Sequence, residues 1–360
     1  MTEVKAAVCT AFGEPLEIQT VTLRNPLDGE VEVQLKACAI CHSDISYIDG
    51  GWGGNLPAVY GHEAAGFVTA TGPNTRGVEV GDPVVVTLIR SCGSCTPCAS
   101  GSPTACQSGP EEPSPISLED GTQVEQAMYC GAFAEKVVVH HSQVVKVPRD
   151  MDLAAASLLA CGVITGVGSV VNAGDIKAGQ NVVVIGAGGV GLNAIQGARI
   201  AGARRIVAVD MSAEKLEMAK EFGATDGVLA TEDKPWRAAK EAMGGGADLV
   251  IVSVGVIPAY DQAPRYMAYG GKIIMVGMPH TGEVSTYEPA NFAAAGQSMI
   301  GSKMGDAVIS RDIPWMVDLY GQGRLKLDEL ISNTWTLEQI NEAIADTKTG
   351  GAKRNVIVFD

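Results

Sequence analysis

Positive charge is short in this 360-residue chain relative to negative charge. It carries 26 Lys and Arg against 41 Asp and Glu, for a formal net charge of −15. Such a surface repels phosphate backbones and anionic headgroups, so neither nucleic acid nor an anionic lipid surface is an expected partner. No apolar run reaches the length that spans a bilayer, and no membrane association is expected. The opening residues, Met1-Thr2-Glu3-Val4-Lys5, lack the charged and apolar regions of a secretion signal. Internal repeats and low-complexity tracts are also missing. Nine cysteines without a secretion signal point to a reducing, cytoplasmic setting, where cysteines serve as metal ligands more than as disulfides. With 46% hydrophobic residues, this length suits two domains, each able to bury a core.

Four of the cysteines are close together. Cys92, Cys95, Cys98 and Cys106 follow a C-x2-C-x2-C-x7-C spacing. Four thiolates at that spacing suit the closed tetrahedral shell of a structural zinc, the alternative being free thiols or a pair of disulfides. A closed shell offers no position to a substrate, so the chemistry must lie elsewhere.

The first third of the chain reads as β. Glu30–Ala37 alternates polar and apolar residues, and the turn Gly81-Asp82-Pro83 leads into Val84–Val86. Residues 107–129 are rich in Pro, Ser, Gly and acid and read as a surface loop. From about residue 180 strands alternate with helices. Asn181–Ile185, Arg205–Val209, Asp248–Val254 and Lys272–Val276 are β-rich, with helices expected over Ala213–Phe222 and Ala259–Ala268. That alternation predicts an α/β, doubly wound parallel sheet. Thr336-Leu337-Glu338-Gln339 is a capping box that opens a helix ending at Gly350 and Gly351, before a last strand at Asn355–Phe359.

Within the alternating region, Val182–Ile185 runs into Gly186-Ala187-Gly188-Gly189-Val190-Gly191, and a second strand ends in Asp210, nineteen residues after Gly191. This is the G-x-G-x-x-G context of a dinucleotide site. Gly186 permits the tight turn, Gly188 lets the backbone approach a pyrophosphate, and Gly191 allows close helix–strand packing. The helix N-terminus offers free N–H groups to the phosphates. Asp210 accepts from the adenosine ribose hydroxyls and repels a 2′-phosphate. Met211 and Ser212 supply no cation, so NAD is expected over NADP. Arg204 and Arg205 read as a solvated turn.

Three further segments carry metal-ligating residues: Cys41-His42-Ser43-Asp44, Gly61-His62-Glu63 and Cys161-Gly162-Val163-Ile164-Thr165-Gly166. Cys41, His62 and Cys161 could supply three zinc ligands with a fourth position open. Spacing does not bring them together, and each could equally be a buried small residue or a surface imidazole. Cys9, Cys38 and Cys130 read as small apolar fillers, and His140, His141 and His280 as surface or structural residues.

Taken in order, these motifs resemble the zinc-dependent medium-chain alcohol dehydrogenases, near the class III and nicotinoprotein branches, over nearly the whole chain. The resemblance implies a GroES-like β-rich catalytic domain from residues 1–162 and 303–360, and a Rossmann NAD-binding domain from 163–302 inserted between them. It implies two zincs per chain. Cys41, His62 and Cys161 match the catalytic ligands, and Asp44 matches the carboxylate that orients the histidine. Glu63 matches the acid behind the metal, and Ser43 the hydroxyl that takes the alcohol proton, though it could be a turn hydroxyl. On the nucleotide side, His42 and Arg354 match groups at the pyrophosphate, and Lys215 matches a lysine at the ribose or is an exposed helix charge. Thr165 and Val190 match positions that press on the nicotinamide, or are packing residues. Trp52, Leu88 and Met278 match the substrate pocket, and their bulk suits an aliphatic or aromatic alcohol. Arg90 either points inward toward an anionic tail or lies on the surface.

Two departures stand out. Ser46, with Tyr47 beside it, replaces the histidine that many members place three residues after the relay hydroxyl. The glutathione-dependent branch holds an arginine where this chain has Pro110. Residues 107–135 contain no Lys or Arg but do contain Glu111, Glu112, Glu119, Asp120, Glu125 and Glu135, so an anionic glutathione adduct finds no cation there. The implied reaction is hydride transfer between an alcohol and NAD to give an aldehyde or ketone, by a homodimer or homotetramer. Three other readings are compatible with parts of the sequence: a nicotinoprotein with retained NAD and another electron acceptor, a quinone or enoyl reductase, and an NAD-binding, zinc-stapled redox sensor. The three zinc-ligand candidates speak against the reductase.

Overall fold

The computed structural model describes residues 1–110 and 112–360. Glu111 lies outside the described residues. The chain divides into two compact units, Met1–Cys161 with Val308–Asp360, and Gly162–Ala307.

The first unit is β-rich. Thr2–Cys9, Glu17–Leu23, Ile116–Ser117, Gln123–Gln126 and Ala58–Val59 close into a barrel. A sheet runs in the order Val144–Lys146, Pro83–Thr87, Glu63–Thr71, Glu30–Ala39, Arg354–Val358, Ile331–Trp335, with Lys136–His140 also paired to Glu30–Ala39. In Glu30–Ala39 the apolar Val31, Val33 and Leu35 are buried, as the alternation requires. The strand then continues two residues past the alternating stretch. Ala37, Cys38 and Ala39 are small enough to be covered on both faces where they pair with Val358, Ile357 and Val356 on one side and Ala65, Ala64 and Glu63 on the other. Cys9, Cys38 and Cys130 are all buried fillers.

The 107–129 segment is not simply a surface loop. Ile116↔Val124 and Ser117↔Gln123 pair as an antiparallel hairpin that closes the barrel. Ile116 and Val124 drive it, because both are fully buried. The signal in the sequence is Asp120-Gly121: Gly121 has φ +86° and the Asp120 carboxylate accepts from the Thr122 N–H at 2.9 Å.

The second unit holds six strands, all parallel, in the order Asp226–Leu229, Arg205–Asp210, Asn181–Ile185, Ala247–Val252, Met267–Met275, Ser298–Gly301. This is the expected doubly wound sheet. Val182, Val183 and Val184 are all buried, so both faces of the central strand are covered and it reads as a continuous apolar run. Ala213–Phe222 forms its helix, with Ser212 as N-cap. The helix expected over Ala259–Ala268 is shorter and earlier. It spans Ile257–Gln262, passes into a 3-10 turn over Ala263–Tyr266, and Met267 already begins the next strand. Pro264 explains the stop, since it has no N–H for an i−4 bond and its ring crowds the carbonyl one turn back. Arg204 is not merely solvated, because its Nη2 donates to the Met243 carbonyl at 2.7 Å and its Nε to Asn181 Oδ1 at 3.2 Å. Near the C-terminus the Thr336 capping box opens a 3-10 turn, Leu337–Gln339, before the helix Ile340–Thr349, and the last strand is Arg354–Val358. Among the described residues no single helix is long and apolar enough to cross a membrane.

Candidate functional site

Strand register assembles the first site. Ala39 pairs with Glu63 on one side and with Val356 on the other, and the Ile40 N–H donates to the Asn355 carbonyl at 2.9 Å. Cys41, His62-Glu63 and Arg354 therefore converge at three neighbouring strand ends. Cys161 arrives at the end of the turn Leu158–Ala160, which follows the helix Leu153–Ser157 packed on strands Glu30–Ala39 and Glu63–Thr71. The ligand atoms of Cys41, His62, Glu63 and Cys161 all lie within 4.8 Å of one another, and all four residues are buried.

Asp44 is the organiser of this cluster. It is 0% exposed. Its Oδ1 accepts from the Gly61 N–H at 3.0 Å and lies 2.9 Å from His62 Nδ1, and its Oδ2 accepts from the Cys41 N–H at 3.1 Å. One carboxylate thus binds both ligand segments and caps the helix His42–Ile48. It also selects the tautomer: with Nδ1 donating to Asp44, the Nε2 lone pair is left for another partner. That Nε2 is buried and has no hydrogen bond, and neither carboxylate oxygen of Glu63 has one. Arg354 Nη2 stands 3.5 Å from Glu63 Oε1, with both side chains buried. Burial pushes the Glu63 carboxyl up to about 8 against the pull of Arg354. Cys41 is held well below the usual thiol range, first by its hydrogen bond from Cys161 and also by His62. Buried polar atoms left without partners are costly, and here they surround two sulfurs. Two sulfurs, one oriented imidazole and a nearby carboxyl group form a donor set that fits zinc with a position left open.

The second group is the four-cysteine lobe. The Sγ atoms of Cys92, Cys95, Cys98 and Cys106 lie within 4.8 Å of one another, with no disulfide among the nine cysteines. Backbone N–H groups already point at them: Cys95 donates to Cys92 Sγ at 3.3 Å and Cys92 to Cys106 Sγ at 3.4 Å. Cys92 is pulled down to about 5, chiefly by its hydrogen bond with Ser108. Four sulfurs fed by amide donors fit a closed zinc shell. Arg90 braces this lobe, since its Nη1 donates to the Gly109 carbonyl at 2.6 Å. In this structure its guanidinium therefore faces the lobe.

The nucleotide segment is built as its spacing predicts. Gly186 follows strand Asn181–Ile185 with φ +96°, and Gly188 caps the helix Gly189–Ile200. A Cβ on Gly191 would sit 1.8 Å from the Gly186 carbonyl oxygen, so only hydrogen fits there. A Cβ on Gly188 would meet nothing within 4 Å, which leaves that side open for a ligand to approach the backbone. Asp210, at the end of strand Arg205–Asp210, accepts from the Ala187 N–H at 2.7 Å and the Ser212 N–H at 3.0 Å. The acid is therefore fixed directly beside the glycine turn. This open cradle at a helix N-terminus fits a dinucleotide.

The other predicted residues are distributed as follows. Ser43 is half-buried and His42 exposed in the first turn of the helix that Asp44 caps. Trp52 packs edge-on against Tyr47, with ring centroids 5.1 Å apart. Leu88 packs on the barrel core just after Thr87, the register partner of Glu63. Thr165 is buried, with its Oγ1 3.8 Å from Met304 Sδ. Val190 and Lys215 are half-buried, and Met278 is exposed. His140 and His141 are structural, with Nδ1 of each hydrogen-bonded to Ser142 Oγ and the Gly29 carbonyl respectively. Sequence reasoning missed the Glu63–Arg354 pair and the brace by Arg90. No local pattern signals either one, because the partners meet only through strand pairing and loop folding.

The chain matches the alcohol dehydrogenase GroES-like domain over residues 27–149 and the zinc-binding dehydrogenase family over residues 189–322. The NDMA-dependent alcohol dehydrogenase of Amycolatopsis methanolica is 34% identical, over 99% of both chains. The class-3 alcohol dehydrogenase of Cereibacter sphaeroides is 33% identical, again over 99% of both. Among solved structures, benzyl alcohol dehydrogenase from Acinetobacter calcoaceticus superposes with a TM-score of 0.94 at 31% identity, covering 100% of each chain.

Proposed function

Because the chain belongs to the zinc-binding medium-chain alcohol dehydrogenases, we propose that it is an NAD-dependent enzyme interconverting a small alcohol with its aldehyde or ketone. The observation that carries this reading is the buried, partnerless Nε2 of His62 beside the sulfurs of Cys41 and Cys161. Those three residues would hold a catalytic zinc, and Cys92, Cys95, Cys98 and Cys106 a structural one. When bound, zinc polarises a hydroxyl or carbonyl oxygen and NAD accepts the hydride.

The chain's own residues do the rest. Asp44 keeps the His62 ring in one tautomer and orientation. Ser43 Oγ accepts the proton of the alcohol hydroxyl as it gives up its own to the nicotinamide ribose hydroxyl, so the hydroxyl group stays neutral. Glu63 balances the charge behind the ligands, with Arg354 beside it. His42 and Arg354 serve the pyrophosphate, Lys215 the ribose, and Thr165 and Val190 the nicotinamide. Trp52, Leu88 and Met278 supply apolar contact to the substrate. With Pro110 in an acidic segment that has no Lys or Arg, a glutathione adduct is disfavoured as substrate.

Asp210 selects NAD. Replacing it by Gly removes a carboxylate that a 2′-phosphate must face, so the ratio of kcat/KM with NADP to that with NAD should rise by about tenfold or more. Steady-state kinetics with both nucleotides checks this, and an unchanged ratio would mean that the ribose contact lies elsewhere.

A second reading is supported by the similarity to an NDMA-dependent enzyme: the chain keeps its NAD and passes electrons to another acceptor. Native mass spectrometry of protein purified without added cofactor separates the two. Two zincs per chain without nucleotide fit exchangeable NAD, and two zincs with NAD retained fit the nicotinoprotein. One zinc overturns the catalytic site and reopens the redox-sensor reading. The same spectrum reports the subunit count. A homodimer or homotetramer is the proposal there, supported by the open sheet edge at Ser298–Gly301 and the exposed Tyr269, Val284 and Tyr287.

A further inference from the structure

Arg354 is buried, and its Nη2, 3.5 Å from Glu63 Oε1, makes no hydrogen bond. No bond of its own fixes that nitrogen beside the Cys41–His62–Cys161 cluster. Its place is set by the strand that carries it, Arg354–Val358.

The sheet holds that strand least firmly at this end. Its register with Glu30–Ala39 begins only at Val356, opposite Ala39. On the other edge the register with Ile331–Trp335 shifts at Ser332, so Ile331 faces Arg354 and Asn333 already faces Asn355. An extra residue of this kind bends the strand and interrupts the ladder. Asn355 spans the gap. Its carbonyl accepts from the Ile40 N–H at 2.9 Å, one residue before Cys41.

The Asn355 side chain belongs to a residue that is 0% exposed, and it is hydrogen-bonded at both ends. Nδ2 donates to Asp346 Oδ2 at 2.8 Å and to Thr347 Oγ1 at 2.9 Å, both on the helix Ile340–Thr349. Oδ1 accepts from Trp335 Nε1 at 3.1 Å, on the neighbouring strand. A buried polar network with its donors and acceptors paired rigidifies what it joins. Here it joins a helix, a strand and the backbone of the residue next to Arg354. Successive side chains of a strand point to opposite faces, so fixing Asn355 toward the helix turns Arg354 toward Glu63.

We propose that Asn355 is a positioning residue of the Cys41–His62–Cys161 site. Its amide fixes the strand end that sets Arg354 beside Glu63 and holds the segment entering Cys41, and so keeps a metal seated there. This rests on the zinc dehydrogenase reading and adds to it a residue outside the ligand set.

The test is the rate of zinc release from the intact chain to a chromogenic chelator, measured at the same interval below each protein's melting temperature. The phase missing from His62→Ala belongs to this site, and the other phase to the four-cysteine lobe. Asn355→Ala should release the first zinc about tenfold faster, the scale for removing a partner behind a metal's ligands, and leave the lobe's rate unchanged. Asn341→Ala is the control. It removes a paired amide from the same helix, bonded to the Leu16 N–H and carbonyl at 2.9 Å each, and should change neither rate. Each substitution should lower the melting temperature by about 3 °C. If Asn355→Ala does not fold, Asp346→Ala removes only the acceptor of the amide's shortest bond and should speed the same phase about threefold. Unchanged release, equal acceleration of both zincs, or the same acceleration in Asn341→Ala would overturn the positioning role. A wild-type chain that holds one zinc would overturn the catalytic zinc site itself, and this proposal with it.

Discussion

His62→Ala should leave the chain with one zinc in place of two and lower alcohol turnover roughly 1000-fold or more, while NAD still binds. The imidazole is the only nitrogen donor in the cluster with Cys41, Cys161 and Glu63. Without it two buried sulfurs remain beside the Glu63 carboxyl group, which Arg354 already faces, and two sulfurs are too few to hold the ion against water. The loss is not confined to the metal. Asp44 would keep its bonds to the Gly61 and Cys41 N–H groups but lose the ring that occupies its Oδ1. A 1000-fold loss corresponds to about 4 kcal/mol of transition-state stabilisation, within what a Lewis acid and a proton-acidifying metal supply. Metal analysis gives the stoichiometry, steady-state kinetics the turnover, and fluorescence titration the nucleotide affinity. NAD binding should persist, because the glycine turn and Asp210 belong to the other compact unit. Near-normal turnover in this variant would take zinc catalysis out of the account.

Gly191→Val is expected to do the reverse: both zincs stay and NAD binding is lost. Even a methyl at this position would lie 1.8 Å from the Gly186 carbonyl oxygen and 3.0 Å from Ser253 Oγ. The obstacle is backbone, so it cannot swing aside as a long side chain would. Either the helix Gly189–Ile200 slides away from strand Asn181–Ile185, or the turn at Gly186 opens. Both spoil the array of N–H groups at the helix start. An affinity loss of at least 100-fold, roughly 3 kcal/mol, is the expected scale. Titration with NAD and zinc analysis of the same preparation check it. If NAD affinity survived, the pyrophosphate would not bind at this turn.

The two substitutions differ in how far each site was readable beforehand. The glycine turn is local. Its six residues, the apolar strand before it and the apolar helix after it follow one another in the chain, so spacing alone carries the geometry. Asp210 is nineteen residues further on, yet a strand–helix–strand unit returns it to the turn by a fixed path. The four-cysteine lobe is legible for the same reason. The helix expected over Ala259–Ala268 ends early for an equally local reason, Pro264. In the 107–129 segment the local signal is Asp120-Gly121, the hairpin turn between Ile116 and Val124.

By itself the sequence determined the α/β class of the second half, the parallel order of strand and helix, the dinucleotide turn and the cysteine lobe. These features depend on contacts within a turn, a strand or one supersecondary unit, where residue spacing sets distance. Only the tertiary structure decided that Cys41, His62 and Cys161 meet, that Asp44 binds two of their segments, that Arg354 stands beside Glu63 and that Arg90 braces the lobe. Strand register decided the first three, except that Cys161 is delivered by the turn after the helix Leu153–Ser157. Ala39 pairing with both Glu63 and Val356 brings together segments from opposite ends of the chain. A slip of one residue would turn every side chain to the other face. That register is chosen by burial on both sides of the sheet at once, which no single stretch of sequence contains.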